Sequence, residues 1–119
     1  LASSMPAGVA AITRVVIRKG SSISFIPVEK IQYIKAEDDY VMIWHAEGKA
    51  LKQQTMKYYE INLPQGEFVR IHRSAIVRIS QKDHVEPYGK ETYKAILKNG
   101  TRLPVSRTGY KTLKEKIRF

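Results

Sequence analysis

The side chains most able to do chemistry in this 119-residue sequence stand at breaks between strand-like runs. In Phe68-Val69-Arg70-Ile71-His72-Arg73-Ser74, Arg70 and His72 alternate with the apolar Val69 and Ile71, and Arg73 falls at the break before Ala75-Ile76-Val77. In Leu103-Pro104-Val105-Ser106-Arg107, Pro104 and a helix start tie down the backbone, so Arg107 projects where strand becomes helix. A third stretch, Asp38-Asp39-Tyr40, occupies a turn. Arginine suits the reading of DNA bases because its planar fork donates two hydrogen bonds to guanine O6 and N7. Lysines and backbone amides suit phosphate anchoring. Held on loops braced by strands, such groups could enter a groove without a recognition helix. The competing reading is that Arg70 and Arg73 are salt-bridged residues on a sheet edge, where charge discourages edge-to-edge pairing.

No catalytic constellation accompanies these stretches. None of His45, His72 and His84 pairs with another histidine at a metal-ligand spacing, so no metal is expected. The chain has no cysteine, which excludes disulfides, zinc-thiolate sites and cysteine nucleophiles. Gly89-Lys90 is followed by Glu91 and lacks the upstream glycine of a phosphate loop. No serine sits in a Gly-x-Ser-x-Gly context. Glu37-Asp38-Asp39 reads as a solvated turn rather than an acid/base pair. Asn99-Gly100-Thr101 matches a glycosylation sequon, but a turn explains it. The expectation is a protein that is not an enzyme and carries no cofactor.

Charge points to a partner. Lys and Arg number 21 against 11 Asp and Glu, a formal net charge of +10. Residues 1–69 hold 8 basic and 7 acidic side chains, while residues 70–119 hold 13 and 4. A polyanion explains that asymmetry, because each cation that neutralises a phosphate releases a condensed counterion. A basic domain with no nucleic-acid role, or one at a membrane surface, would look the same. No apolar run approaches the roughly 18–20 residues that span a bilayer, and Leu1 to Ile12 lack the basic and compact apolar regions of a signal peptide. Residues 1–12 therefore read as a linker or expression remnant and 13–119 as the domain, with sequence missing upstream of Leu1. Absence of cysteine fits a reducing cytosol, so a cytoplasmic location is expected.

The elements that must position the arginines are short. Arg14–Arg18 and Ser22–Pro27 flank Lys19-Gly20-Ser21; Ile31–Ala36 and Tyr40–His45 flank the acidic turn. Lys49–Gln54 and Phe68–Ile71 follow further turn signals. Thr92–Lys98 and Thr101–Val105 flank Asn99-Gly100, the favoured pair for a type I′ turn. Alternation sets Ile23/Phe25 opposite Ser22/Ser24, and Tyr93/Ala95/Leu97 opposite Lys94/Lys98, so one face of each suits a core. Val41-Met42-Ile43-Trp44 is apolar on both faces, which predicts a strand covered on both sides or one with a contact surface. Helical spacing occurs over Thr55–Leu63, stopped by Pro64, and over Ser106–Phe119, where Ser106 is an N-cap candidate and Gly109 costs about 1 kcal/mol relative to Ala. The predicted fold class is all-β: about ten short strands in small antiparallel sheets with two short helices.

The motif Phe68-Val69-Arg70-Ile71-His72-Arg73-Ser74-Ala75-Ile76-Val77 resembles the central motif of the LytTR (LytR/AlgR-like) DNA-binding domains of bacterial response regulators. Asn99-Gly100-Thr101-Arg102-Leu103-Pro104-Val105-Ser106-Arg107, followed by a helix with leucine spacing, is similar to a second family feature. The pair Ile31-Gln32-Tyr33-Ile34 to Asp39-Tyr40-Val41 resembles a third, and the short helix ending Leu63-Pro64 also fits. The resemblance covers the chain from about Ala11 to the C-terminus. It implies base contacts at Tyr40, Arg73 and Arg107, made from loops and strand ends in successive major grooves. It implies that His72 packs or orients its loop, and that Arg70 braces the fold or touches phosphate. Asp38-Asp39 departs from the family's Asn-rich form and puts two acids where DNA would lie; one acid would accept from cytosine N4 or orient an arginine.

The partner the resemblance implies is double-stranded DNA carrying promoter repeats, bound by paired domains under an upstream receiver domain, with no membrane. The alternative is a non-enzymatic β-module that binds a protein or ligand through Tyr33, Tyr40, Trp44, Tyr58 and Tyr59. RNA binding through stacked aromatics is a further possibility.

Overall fold

The computed structural model describes residues 11–118, so the expected linker or expression remnant over residues 1–12 falls outside the described residues as far as Ala10, as does Phe119. Ile12 packs against the core and its amide donates to the Asn62 carbonyl at 2.9 Å. Ten strands follow: β1 Arg14–Lys19, β2 Ser22–Pro27, β3 Ile31–Glu37, β4 Tyr40–His45, β5 Gly48–Lys52, β6 Phe68–His72, β7 Ala75–Arg78, β8 Lys82–Pro87, β9 Tyr93–Leu97 and β10 Arg102–Val105. Two α-helices, α1 Met56–Asn62 and α2 Arg107–Ile117, and two short 3-10 turns, Val28–Lys30 and Ile79–Gln81, complete the described fold. All strand pairs are antiparallel. They form a β1-β2 hairpin, a five-stranded sheet in the order β5-β4-β3-β7-β6, and a three-stranded sheet in the order β10-β9-β8.

The middle of the five-stranded sheet is covered on both faces, which is why Val41-Met42-Ile43-Trp44 of β4 and Ala75-Ile76-Val77 of β7 are apolar at successive positions. Successive residues feed different cores. Ile34, Val41, Ile43 and Ile76 join Val15, Ile17, Met56, Tyr59 and Leu63 beneath the β1-β2 hairpin and α1. Tyr33, Val69, Ile71 and Val77 join Ala95, Leu97, Leu103, Val105 and Leu113 beneath the three-stranded sheet and α2. Trp44 packs against this second core and stacks on Tyr33, with ring centroids 5.4 Å apart. β4 is thus the strand covered on both sides that its composition predicts.

Three expectations need correction. Ile23 and Phe25 do not face the core: they are 49% and 57% exposed, while Ile26 supplies the buried contact of β2. A strand with apolar residues on both parities can present either face, and here Val15, paired with Ile26, sets the choice. The loop at Asn99-Gly100 is not type I′, which needs positive φ at both residues. Only Gly100 is left-handed, at φ +89. Its amide donates to the Leu97 carbonyl and the Leu97 amide to Thr101, giving a three-residue loop that ends on a glycine bulge. Finally, β8 has no counterpart among the strand-like runs. Lys82-Asp83-His84-Val85-Glu86-Pro87 holds little apolar surface because it forms an edge, and charge with a terminal proline suits an edge.

Arg78 holds two layers together. Its side chain is 10% exposed, and its Nε donates to the Ile31 carbonyl at 2.7 Å and Nη2 to the Val28 carbonyl. Its Nη1 pairs with Glu67 at 2.8 Å while the guanidinium lies over the Phe68 ring. Lys116 does similar work for α2, donating to the carbonyls of Gln65 and Phe68 at 2.8 Å each. Burial holds its ammonium below the usual lysine pKa.

Candidate nucleic-acid interface

Three chain reversals meet at one end of the five-stranded sheet. The β3-β4 turn carries Asp38 and Asp39, with Tyr40 opening β4; Asp38 takes φ +55, a left-handed value that Asp tolerates better than most residues. The β6-β7 turn carries Arg73. Lys35 pairs with Ala75, and the Ala36 amide donates to the Ser74 carbonyl at 3.0 Å, so these two turns stand side by side. The β10-α2 junction carries Arg107, and the Ser106 amide donates to the Ile71 carbonyl at 2.9 Å. That bond sets Arg107 beside His72 and Arg73.

The Arg73 turn is built from its own side chains. The Arg70 guanidinium reaches three partners: Nη2 to the Arg73 carbonyl at 2.7 Å, Nε to the His72 carbonyl at 3.3 Å, and Nη1 to the Glu60 carboxylate of α1 at 2.8 Å. Arg70 therefore braces the turn. The Ser74 amide donates to His72 Nδ1 at 3.1 Å. A nitrogen that accepts carries no proton, so the neutral ring is protonated at Nε2, and Ser74 Oγ, 2.8 Å from Nδ1, donates to it as well. His72 thus orients the loop. Desolvation first, then Arg73, Lys94 and Arg70, lower its pKa from the ordinary 6.5. Arg73 itself is exposed.

At the α2 junction, Ser106 caps the helix by accepting from the Gly109 amide at 2.9 Å. Gly109 has no room for a side chain: a Cβ there would overlap the Ile71 carbonyl. The glycine that weakens the helix as an isolated segment is what lets α2 seat against β6. The first-turn amides of α2, with their partial positive charge, join the same end of the molecule. Arg107 opens the helix with its side chain 75% exposed, and its Nη1 pairs with Glu91 of the β8-β9 turn. That turn lines a groove with His72, Lys90, Lys94 and Arg107. Sequence reasoning passed over Glu91, noticing it only as the residue that spoils a phosphate loop. Nothing local announces a carboxylate whose partner lies 16 residues away.

The model for the LytTr DNA-binding domain matches residues 21–118. The chain belongs to that family. A sensory transduction protein LytT of Bacillus anthracis is 35% identical over 98 residues, covering 82% of this chain and 40% of that protein. A positive alginate biosynthesis regulatory protein of Pseudomonas aeruginosa is 34% identical over 92 residues, covering 76% and 36%. The chain thus spans about two fifths of the length of these relatives. A solved LytTr DNA-binding domain from Bacillus cereus superposes with a TM-score of 0.81 over 92% of this chain and 100% of that one, at 24% identity, which establishes the shared fold.

Within this LytTr domain the aromatic residues are divided between the cores and the surface, where Phe25 and Tyr88 are 57% and 59% exposed. Tyr33 and Tyr59 are 5% and 1% exposed, and burial raises the pKa of both phenols. Tyr40 and Tyr58 are the more open, at 40% and 36%. No helix among the described residues is long and apolar enough to cross a membrane.

Proposed function

We propose that this chain reads double-stranded DNA sequence-specifically, as the output domain of a two-component transcriptional regulator in the cytoplasm. The observation that carries the reading is the convergence of Tyr40, Arg73 and Arg107 at one end of a sheet packed on both faces. Rigid support matters because base recognition needs donors held in place before the groove arrives. Arg107 and Arg73 enter the major groove and donate to base edges, with Tyr40 as the third contact. His72 and Arg70 hold the Arg73 turn, while the lysines and the α2 amides take phosphates. Asp38 and Asp39 keep the Tyr40 turn away from phosphates and favour a cytosine N4 donor there. The sensory transduction and regulatory names of the relatives support the transcriptional setting. Two copies pair on adjacent promoter repeats when an upstream receiver domain is phosphorylated.

The test is binding to promoter fragments across a salt series. Affinity should fall steeply with salt, with a log-log slope of about −0.9 per phosphate neutralised. Arg107→Ala and Arg73→Ala should each cost about 1–3 kcal/mol and relax preference at one base pair. A loss equal on all sequences would make either residue a phosphate contact. No preference for any promoter over random duplex at modest salt overturns the reading.

A further inference from the structure

The Arg107–Glu91 ion pair does little for folding, since its side chains are 75% and 65% exposed and such pairs are weak. Yet the structure goes to some length to make it. Glu91 sits at φ +56, where non-glycine residues are uncommon. The turn that holds it is closed by the Tyr88 amide donating to the Thr92 carbonyl at 2.8 Å and by the Thr92 hydroxyl donating to the Tyr88 carbonyl. The carboxylate arrives from the β8-β9 turn, not from the β10-α2 junction that carries Arg107, so it anchors the arginine from a second element.

The geometry of the contact is selective. Glu91 Oε1 meets Nη1 of Arg107. A guanidinium has five N–H donors in a fixed plane, so a carboxylate on Nη1 leaves other donors of the fork to meet a guanine edge. It also restricts a long side chain that would otherwise sample many rotamers and slide onto the nearest phosphate.

We propose that Glu91 is the positioning residue for Arg107: its carboxylate fixes the guanidinium so that the remaining donors read one base pair. The proposal rests on Arg107 as a base-reading group. It has a signature of two opposite effects. Removing a carboxylate beside DNA strengthens binding to every duplex, because a like charge is gone. Releasing the guanidinium weakens discrimination at the one base pair it reads.

The experiment starts from duplexes selected by the wild-type protein out of a random pool. Wild type, Glu91→Gln, Arg107→Ala and the double variant are then measured on the selected duplex, its single-base variants and a random duplex. Glu91→Gln should bind random duplex more tightly yet lose about five-fold or more of its preference at the base pair where Arg107→Ala loses it, the lower end of what one such contact is worth. The double variant should lose no further preference there, because the two residues act through one contact. An unchanged thermal midpoint for Glu91→Gln shows that the fold is intact. If Arg107→Ala loses a base preference and Glu91→Gln keeps it, the role of Glu91 falls while DNA reading stands. If wild type selects no sequence, DNA reading itself falls.

Discussion

The amide of Ser106 donates to the carbonyl of Ile71 at 2.9 Å, joining the start of α2 to the last buried residue before the Arg73 turn. One backbone bond thus ties together two segments 35 residues apart in sequence, each followed by an exposed arginine. The spacing between Arg73 and Arg107 is set by main chain rather than by flexible side chains.

Arg70 should act on DNA through that turn. Arg70→Lys keeps the positive charge but cannot serve Glu60 and two carbonyls at once. DNA affinity in a mobility-shift assay is expected to drop as far for Arg70→Lys as for Arg70→Ala. Full rescue by lysine would instead make Arg70 a phosphate contact.

Gly109→Ala should lower stability by at least about 1–3 kcal/mol, the usual cost of overpacking, because the obstacle is backbone. Urea unfolding reads this directly. An unchanged midpoint would mean that α2 does not sit against Ile71 as described.

Arg78→Ala should be costlier than loss of any surface arginine. It strands the Ile31 carbonyl, at about 1–3 kcal/mol, and takes one of two donors from the Val28 carbonyl, which keeps the Ile31 amide. Much of that penalty should persist in Glu67→Ala/Arg78→Ala, since Glu67 is half exposed and contributes little. Thermal midpoints of the two variants are the measurement.

His72 and His84 should titrate on opposite sides of the ordinary histidine value. Hydrogen bonds donated to Glu86 and then to Asp83 raise His84, whereas desolvation and then Arg73, Lys94 and Arg70 lower His72. For His72 the folded pKa lies below the unfolded 6.5, so the unfolded chain binds more protons in between. Its contribution to stability is complete above about pH 6.5 and is lost as pH falls from there through the folded value. Imidazole chemical shifts in an NMR titration would show the order of the two residues; His72 titrating above His84 would contradict the orientation given to the Arg73 turn.

Much of this was legible in the sequence because the signals were local. Turn residues set off eight of the strands, and the alternation of Arg70 and His72 with Val69 and Ile71 placed Arg73 at a chain reversal. What stayed hidden depends on distance. The edge strand β8 carries almost no apolar pattern because one side of it has no neighbour. The outward turn of Ile23 and Phe25 follows from pairing, as Ile26 on the serine-bearing parity of β2 meets the buried Val15. Arg78 reads as one more basic residue until its two carbonyl partners, 47 and 50 residues upstream, come into view. Glu91 escaped for the same reason.

The single tryptophan of this chain, Trp44, lies stacked on Tyr33 where β4 meets the second core. Its indole N–H is buried without a hydrogen-bond partner. Such an indole emits according to its surroundings, here the Tyr33 ring, the second core and the Lys49 ammonium 4.9 Å from its centroid, so its colour gauges whether the three-stranded sheet is still seated. Trp44 lies four residues along β4 from Tyr40, away from the turn end. The protein carries a built-in optical gauge that separates loosening of the layers from events at its arginine-bearing end.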